Sequence, residues 1–230
     1  MARIHVIIPA YNEEKSIALV LRDIPKGFVE EVIVVNNNSS DNTAAVAAAA
    51  GATVLHEPAP GYGNACLKGI AYVAAKPPEA QPDIVVFLDG DYSDYPGEMV
   101  QLVAPIQQGQ ADLVIGSRAL GNREPGAMLP QQIFGNWLAT SLLRLFYGAR
   151  FTDLGPFRAI RFSTLLALGM QDKTYGWTVE MQAKAARQNI PCTEVPVTYR
   201  KRIGFSKISG TVKGTIMAGY KIILTIFRYL

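Results

Sequence analysis

Asp89 and Asp91 stand one residue apart, directly after the apolar run Ile84–Leu88, with only Gly90 between them. Two carboxylates at a strand end can share a hard divalent cation, directly or through water. Mg²⁺ or Mn²⁺ suits such oxygen ligands together with diphosphate oxygens. Gly90 leaves room for a close approach to the backbone. The same triplet also suits a solvated turn. A second polar cluster, Tyr11-Asn12-Glu13, follows Ile4–Pro9, where Pro9 ends the ladder. An aromatic beside a carboxylate can hold a nucleobase and its polar edge. A third cluster, Asn36 to Asp41, follows Glu31–Asn36. Both clusters also read as helix starts with capping residues.

These clusters need a frame that brings them together. Strands are predicted at Ile4–Pro9, Glu31–Asn36, Thr53–His56, Ile84–Leu88 and Asp112–Ser117. Helices are predicted at Lys15–Ile24, Asp41–Ala50, Gly63–Ala75 and Pro96–Gln108, the last with Pro in its first turn. Short apolar runs alternating with helices imply a mostly parallel sheet covered on both faces. Ligands of such sheets bind beyond the carboxyl ends of the strands. The polar clusters, with Ser117-Arg118, would converge on that edge. The second half is less regular. Gln131–Tyr147 and Trp177–Gln188 have helical spacing, and Thr193–Tyr199 reads as a strand. The tail Gly214–Leu230 is apolar but interrupted by Lys221, and is shorter than the roughly 20 apolar residues of a membrane span.

With 230 residues and 49% apolar composition the chain can build a sizeable core, which excludes wholesale disorder. A net charge of +3 is too small to imply nucleic-acid binding. Two cysteines, Cys66 and Cys192, exclude a disulfide scaffold and read as reduced core residues. His5 and His56 lie far from other metal ligands, against a zinc site. The start, Met1-Ala2-Arg3, has no charged-then-apolar leader, so a cytoplasmic location is expected.

VIIPAYNEE, VVNNNSSDNT, FLDGD and GSR, in this order, resemble the motifs of the family 2 glycosyltransferases of GT-A fold. The resemblance extends over nearly the whole chain and implies an α/β, Rossmann-like, mostly parallel sheet flanked by helices. Residues 1–210 are expected to form the glycosyltransferase domain and 211–230 a C-terminal apolar or amphipathic helix, lying in a membrane interface or packing on a partner subunit. The resemblance implies donor-nucleotide contacts from Pro9, Tyr11, Glu13, Asn36 and Asn38. Asp89, Gly90 and Asp91 would meet the donor diphosphate, with Asp91 and Asp89 on the metal. Arg118 would lie near donor or acceptor phosphates. The family usually has Asp where this chain has Asn36, which can hydrogen-bond but supplies no charge.

Thr152-Asp153-Leu154-Gly155-Pro156-Phe157-Arg158, Trp177-Thr178-Val179-Glu180, and Glu194-Val195-Pro196-Val197 with Arg200 to Lys207 resemble polyprenyl-phosphate sugar transferases. The dolichyl-phosphate mannosyltransferases and their bacterial relatives are the nearest shape. The resemblance makes Arg202 a phosphate-holding residue, with Ser206 and Lys207 beside it. Asp153 and Glu180 would position acceptor, sugar or arginine side chains. Those enzymes carry an Arg on the helix that meets the lipid phosphate, where this chain has Gln131 and Gln132.

The expected activity is inverting transfer of a hexose from a UDP-glucose or GDP-mannose type donor to polyprenyl phosphate, with Mg²⁺ or Mn²⁺. Attack by an already ionised phosphate needs no strong base. A hydroxyl acceptor, with Asp153 as base, is the second reading. A non-catalytic nucleotide-sugar-binding subunit is the third. A basic stretch from Arg200 to Lys207 before the apolar tail also fits a membrane surface, a membrane-protein partner or a homodimer. The bland alternative for Arg200-Lys201-Arg202 is a solvated strand end.

Overall fold

The computed structural model describes residues 2–204 and 212–230. The first half alternates β1 (Ile4–Ala10), α1 (Ile17–Asp23), β2 (Glu31–Asn36), α2 (Thr43–Ala49), β3 (Thr53–His56), α3 (Tyr62–Ala74), β4 (Ile84–Phe87), α4 (Met99–Gln107) and β5 (Leu113–Ser117). A single 3₁₀ turn at Pro96–Glu98 leads into α4, so the helix expected from Pro96 starts in two stages. Then follow α5 (Pro130–Tyr147), β6 (Arg158–Arg161), α6 (Phe162–Leu168), α7 (Trp177–Arg187), β7 (Cys192–Pro196) and α8 (Val212–Arg228).

The seven strands form one sheet in the order β3-β2-β1-β4-β6-β5-β7. All neighbours are parallel except β6, which runs antiparallel to both β4 and β5. Sequence patterning anticipates the other strands but not β6 or α6. β7 is shorter than expected: it ends at Pro196, and Tyr199 reaches only isolated bridges to Asp94 and Arg123.

Alternation along β1 sorts its side chains onto two faces. Ile4, Val6 and Ile8 pack with Ile17 and Val20 of α1 and Met99 and Leu102 of α4. Ile7 packs on the other face with Ala65 and Cys66 of α3, and with Trp177 and Met181 of α7. With both faces covered, β1 is buried along all 7 residues, which is why it reads as an unbroken apolar run. A smaller third cluster joins α5, α7 and α8 through Leu143, Val179, Ala183 and Ile226. The Tyr147 hydroxyl donates to the Ile226 carbonyl at 2.5 Å, and the Tyr229 hydroxyl to Glu180 at 2.8 Å. These bonds tie α8 to the body of the protein. Both cysteines are free thiols; Cys66 is buried and Cys192 half-buried.

Candidate active site

Three parallel strands, β2, β1 and β4, end at the same edge, and the loops that follow them meet there. The first two loops are stitched to each other. The Asn12 amide donates to Ser39 Oγ at 2.9 Å, and the Ser40 amide to Asn12 Oδ1 at 2.8 Å. The Glu13 amide donates to Thr43 Oγ1 at 2.7 Å, and the Asn42 amide to Glu14 at 3.0 Å. The polar residues therefore bridge the two loops; neither α1 nor α2 has a side-chain cap of its own. Each of the three loops carries one non-glycine residue at positive φ: Asn12, Asn38 and Tyr92 at 54°, 60° and 64°. Asparagine tolerates this region, whereas at Tyr92 it costs about 1–3 kcal/mol. Arg200 offsets that strain. Its guanidinium lies 3.3 Å from the Tyr92 ring centroid and 4.0 Å from that of Tyr95. Its Nε donates to the Tyr92 carbonyl at 2.6 Å. Arg200 is thus a clamp on the loop after β4, not a solvated strand end.

A cleft of about 340 Å³ opens between these loops. Of the residues implicated by sequence, Pro9, Tyr11, Glu13, Asn38, Asp89, Gly90, Asp91 and Arg202 line it. Asp91 Oδ1 accepts from the Ser93 amide at 2.9 Å, which leaves Oδ2 to meet Arg202 at 3.0 Å. Arg202 also faces Glu13 at 3.4 Å, and its backbone is held where the Ile203 amide donates to the Asp91 carbonyl at 3.0 Å. Asp89 accepts from the Tyr62 hydroxyl at 3.0 Å. Burial, then the neighbouring Asp91 charge, pushes the Asp89 carboxyl up to about 7, with Arg202 opposing. Two carboxylates so crowded gain from a divalent cation between them. Among the described residues no group of three His, Cys, Asp or Glu side chains forms a closed metal cage. Asp89 and Asp91 would therefore be partial ligands, as in sites completed by water and phosphate oxygens. Asp94, behind them, is buried with both carboxylate oxygens lacking a partner among the described residues. Burial, with Asp89 and Asp91 nearby, holds it well above the usual carboxylate range.

Asn36 is not part of the cleft lining. Its amide group faces His56 Nδ1 at 3.2 Å, its partner in the β2–β3 register, and its Oδ1 accepts from the Ser39 amide at 3.2 Å. The Asn at this position thus shapes the loop. Sequence reasoning missed Asn37, which donates to the carbonyls of Glu57 and Ala59 at 3.0 and 2.7 Å and accepts from the Gly61 amide at 2.8 Å. It also missed Pro60, Gly61, Tyr62 and Tyr175, which line the cleft. Gly61 has φ 141°, and a Cβ there would lie 2.2 Å from the Lys173 carbonyl oxygen. The close approach brings the loop carrying Tyr175 against the start of α3. At Gly90 an added Cβ would make only ordinary contacts, at 3.5–3.6 Å, so packing does not demand glycine there.

Arg118 and Asp153 lie outside the lining of this cleft and hold each other. Arg118 Nε and Nη2 donate to the two Asp153 oxygens at 2.8 and 2.7 Å, and its backbone amide adds 2.7 Å. Asp153 is therefore an Arg-positioning group, and the pair raises the Arg118 pKa well above its usual range despite burial. Around the Asp153 loop, Glu194 accepts from the Thr152 and Asp153 amides at 2.9 and 3.1 Å. Arg158, fully buried, donates to the carbonyls of Leu154, Gly155 and Thr178. Glu180 is likewise buried, and holds the Gln171 and Asp172 amides and Lys184. Asp153, Glu194 and Arg158 thus build the wall that carries Arg118, while Glu180 holds the loop before α7. Lys207 and Ser206 lie outside the described residues.

A family model described as glycosyl transferase family 2 matches residues 5–169. An uncharacterized glycosyltransferase of Mycobacterium tuberculosis is 38% identical over 216 residues, covering 93% of each chain. The undecaprenyl-phosphate mannosyltransferase of Micrococcus luteus is 32% identical over 228 residues, covering 92% of this chain and 90% of its own. Among solved structures, glucosyl-3-phosphoglycerate synthase of M. tuberculosis, crystallised with Mn²⁺, UDP and phosphoglyceric acid, superposes with a TM-score of 0.77. It is 23% identical and the match covers 99% of this chain and 78% of that one, a likeness of fold. The cleft beyond β1, β2 and β4, its sequence motifs and these relatives converge: the chain belongs to glycosyltransferase family 2 and has the GT-A fold.

Proposed function

We propose that the protein transfers a hexose from a nucleoside-diphosphate sugar to a polyprenyl phosphate, with inversion at the anomeric carbon. One observation carries the donor half: Asp89, Asp91, Glu13 and Arg202 face a single cleft that Pro9, Tyr11 and Asn38 also line. Asp89 and Asp91 would hold Mg²⁺ or Mn²⁺, which supplies charge for the departing diphosphate when bound. Arg202 stands beside Asp91 to meet the same phosphates, and Glu13 fixes its position. The acceptor phosphate is ionised at neutral pH, so the reaction needs no strong base, in keeping with an Asp153 committed to Arg118.

Two observations support a lipid acceptor. The Micrococcus relative is named for one. Helices α5 and α8 also expose Ile133, Phe134 and Trp137, and Ile216, Tyr220 and Phe227, with Phe146 and Phe227 stacked edge-on at 5.1 Å between the helices. Neither helix contains Asp or Glu. An apolar, aromatic face without carboxylates of its own supports a peripheral position on an anionic bilayer, in this reading on its cytoplasmic side. Among the described residues no helix is long and apolar enough to cross a membrane.

A soluble phosphorylated acceptor is the second reading, favoured by the structural neighbour that makes glucosyl-3-phosphoglycerate. The gathered carboxylates and Arg202 weigh against a non-catalytic subunit. UDP- and GDP-hexoses incubated with Mn²⁺ and either farnesyl phosphate or 3-phosphoglycerate decide the matter by product mass. A sugar phosphoprenol supports the proposal, and a sugar phosphoglycerate alone rejects it.

A further inference from the structure

A second cleft, of about 390 Å³, lies against α5 and has Asp153, the partner of Arg118, in its lining. Its polar lining is mostly spoken for. Asn136 donates to the Thr152 carbonyl at 2.8 Å and accepts from the Leu154 amide at 2.9 Å. The Thr140 hydroxyl donates to the Asn136 carbonyl at 2.9 Å, and that of Thr152 to Glu194 at 2.9 Å. Asp153 has a side chain 1% exposed and is neutralised by Arg118. Two lining cations remain, Arg123 and Arg144, and neither forms an ion pair among the described residues. Among the described residues the one polar contact of the Arg123 side chain is Met128 Sδ at 3.5 Å. No Asp or Glu occurs from Pro125 to Thr152; Glu124 adjoins Arg123, and Asp153 is held by Arg118. The remaining wall is apolar, made by Met128, Ile133, Trp137 and Phe151, and Trp137 is 61% exposed at its rim.

We infer that this second cleft binds a phosphate monoester, with Arg123 and Arg144 gripping the phosphate and the Ile133–Trp137 wall receiving an attached apolar chain. The inference rests on the proposed acceptor chemistry and assigns it to residues that no sequence motif marked. Guanidinium forks match the paired oxygens of a phosphate. They also supply the positive charge that Gln131 and Gln132 lack. The phosphate source is either a prenyl phosphate or a small soluble phosphate, and the chemistry of the grip is the same for both.

The test reads the site without turnover. The chain has two tryptophans, and Trp177 is fully buried, so emission changes on binding report Trp137. Farnesyl phosphate, farnesol and inorganic phosphate are titrated against the wild type, Arg123→Gln and Arg144→Gln, with Trp137→Phe as the signal control. Binding of [³H]farnesyl phosphate provides a second readout. Both arginines are exposed and the changes should leave the fold intact, which circular dichroism checks. Each variant is expected to bind farnesyl phosphate about tenfold more weakly, with affinity for UDP and Mn²⁺ unchanged. Wild-type affinity in both variants, or farnesol bound as tightly as farnesyl phosphate, overturns the inference. Farnesyl phosphate outcompeting inorganic phosphate assigns a lipid source; equal affinities assign a soluble one, with the anion site upheld. Lipid-linked product made with an unchanged acceptor KM in both variants would sink this site while leaving the proposed function standing.

Discussion

Replacing Asp89 by Asn should stabilise the metal-free protein at alkaline pH while abolishing its activity. The carboxyl is pushed up to about 7 by burial and by Asp91. Because the two carboxyls are linked, that value belongs to the pair as it titrates. An unfolded Asp titrates near 3.8. Between those values the folded state holds a proton that the unfolded chain has lost, so stability falls as pH rises, and the penalty is constant above about 7. At about 1.4 kcal/mol per unit, the ceiling is about 4 kcal/mol at pH 8. The carboxylate faces the cleft, and solvent there lowers the penalty to about 2 kcal/mol. For a chain of this size that is a melting shift of about 4–8 °C. Asn keeps an oxygen for the Tyr62 hydroxyl and removes the charge. Melts of both proteins without metal at pH 5, 6.5 and 8 should show the variant ahead at pH 8, with the gap closing towards pH 5. Added Mn²⁺ should then raise the wild type and leave the variant unmoved. A variant less stable than wild type at pH 8, or a gap indifferent to pH, would refute the reasoning.

Four further outcomes follow from the packing. Asp153→Ala strands the buried Arg118 cation and should cost about 3–5 kcal/mol, read from urea denaturation. Arg118→Lys keeps the charge but loses the bidentate geometry, and should lower kcat with little change in donor KM. Trp177→Ala removes a side chain packed at 4.6 Å against Phe87 and 6.0 Å against Tyr62, costing about 3–5 kcal/mol and weakening donor binding through Tyr62. Gly63→Ala would place a Cβ 2.0 Å from the Asp172 carbonyl oxygen, forcing the loop that carries Tyr175 away from α3; donor KM should rise more than kcat falls.

The cleft beyond β1, β2 and β4 was legible because most of its residues follow buried parallel strands. Apolar runs such as Ile84–Leu88 locate the sheet, and the polar residues after them must then share an edge. Asn36 lies off the cleft lining, with its side chain on His56 and the Ser39 amide, a difference from its neighbour Asn37 that pattern cannot draw. Pro60 and Gly61 follow β3, so the same edge rule had the means to find them. Tyr175 had no such signal: it arrives from a loop that only the close glycine contacts of α3 bring in. Strand β6 was missed because four residues flanked by arginines carry no period, and Arg158 reads as a charged motif residue. It is instead buried among carbonyls, with desolvation lowering its pKa to about 10. The second-half motifs were recognised as important, but their work as braces for Arg118 depends on contacts across 35 to 42 residues of chain.

The central claim is that Asp91 and its neighbours hold a metal–nucleoside diphosphate in the cleft beyond β1, β2 and β4. Calorimetric titration of UDP and GDP into the protein, with and without Mn²⁺, tests it most directly. One nucleotide should bind tightly only with metal, and Asp91→Ala should remove the metal dependence along with most of the affinity. Metal-independent binding that survives Asp91→Ala would contradict the account.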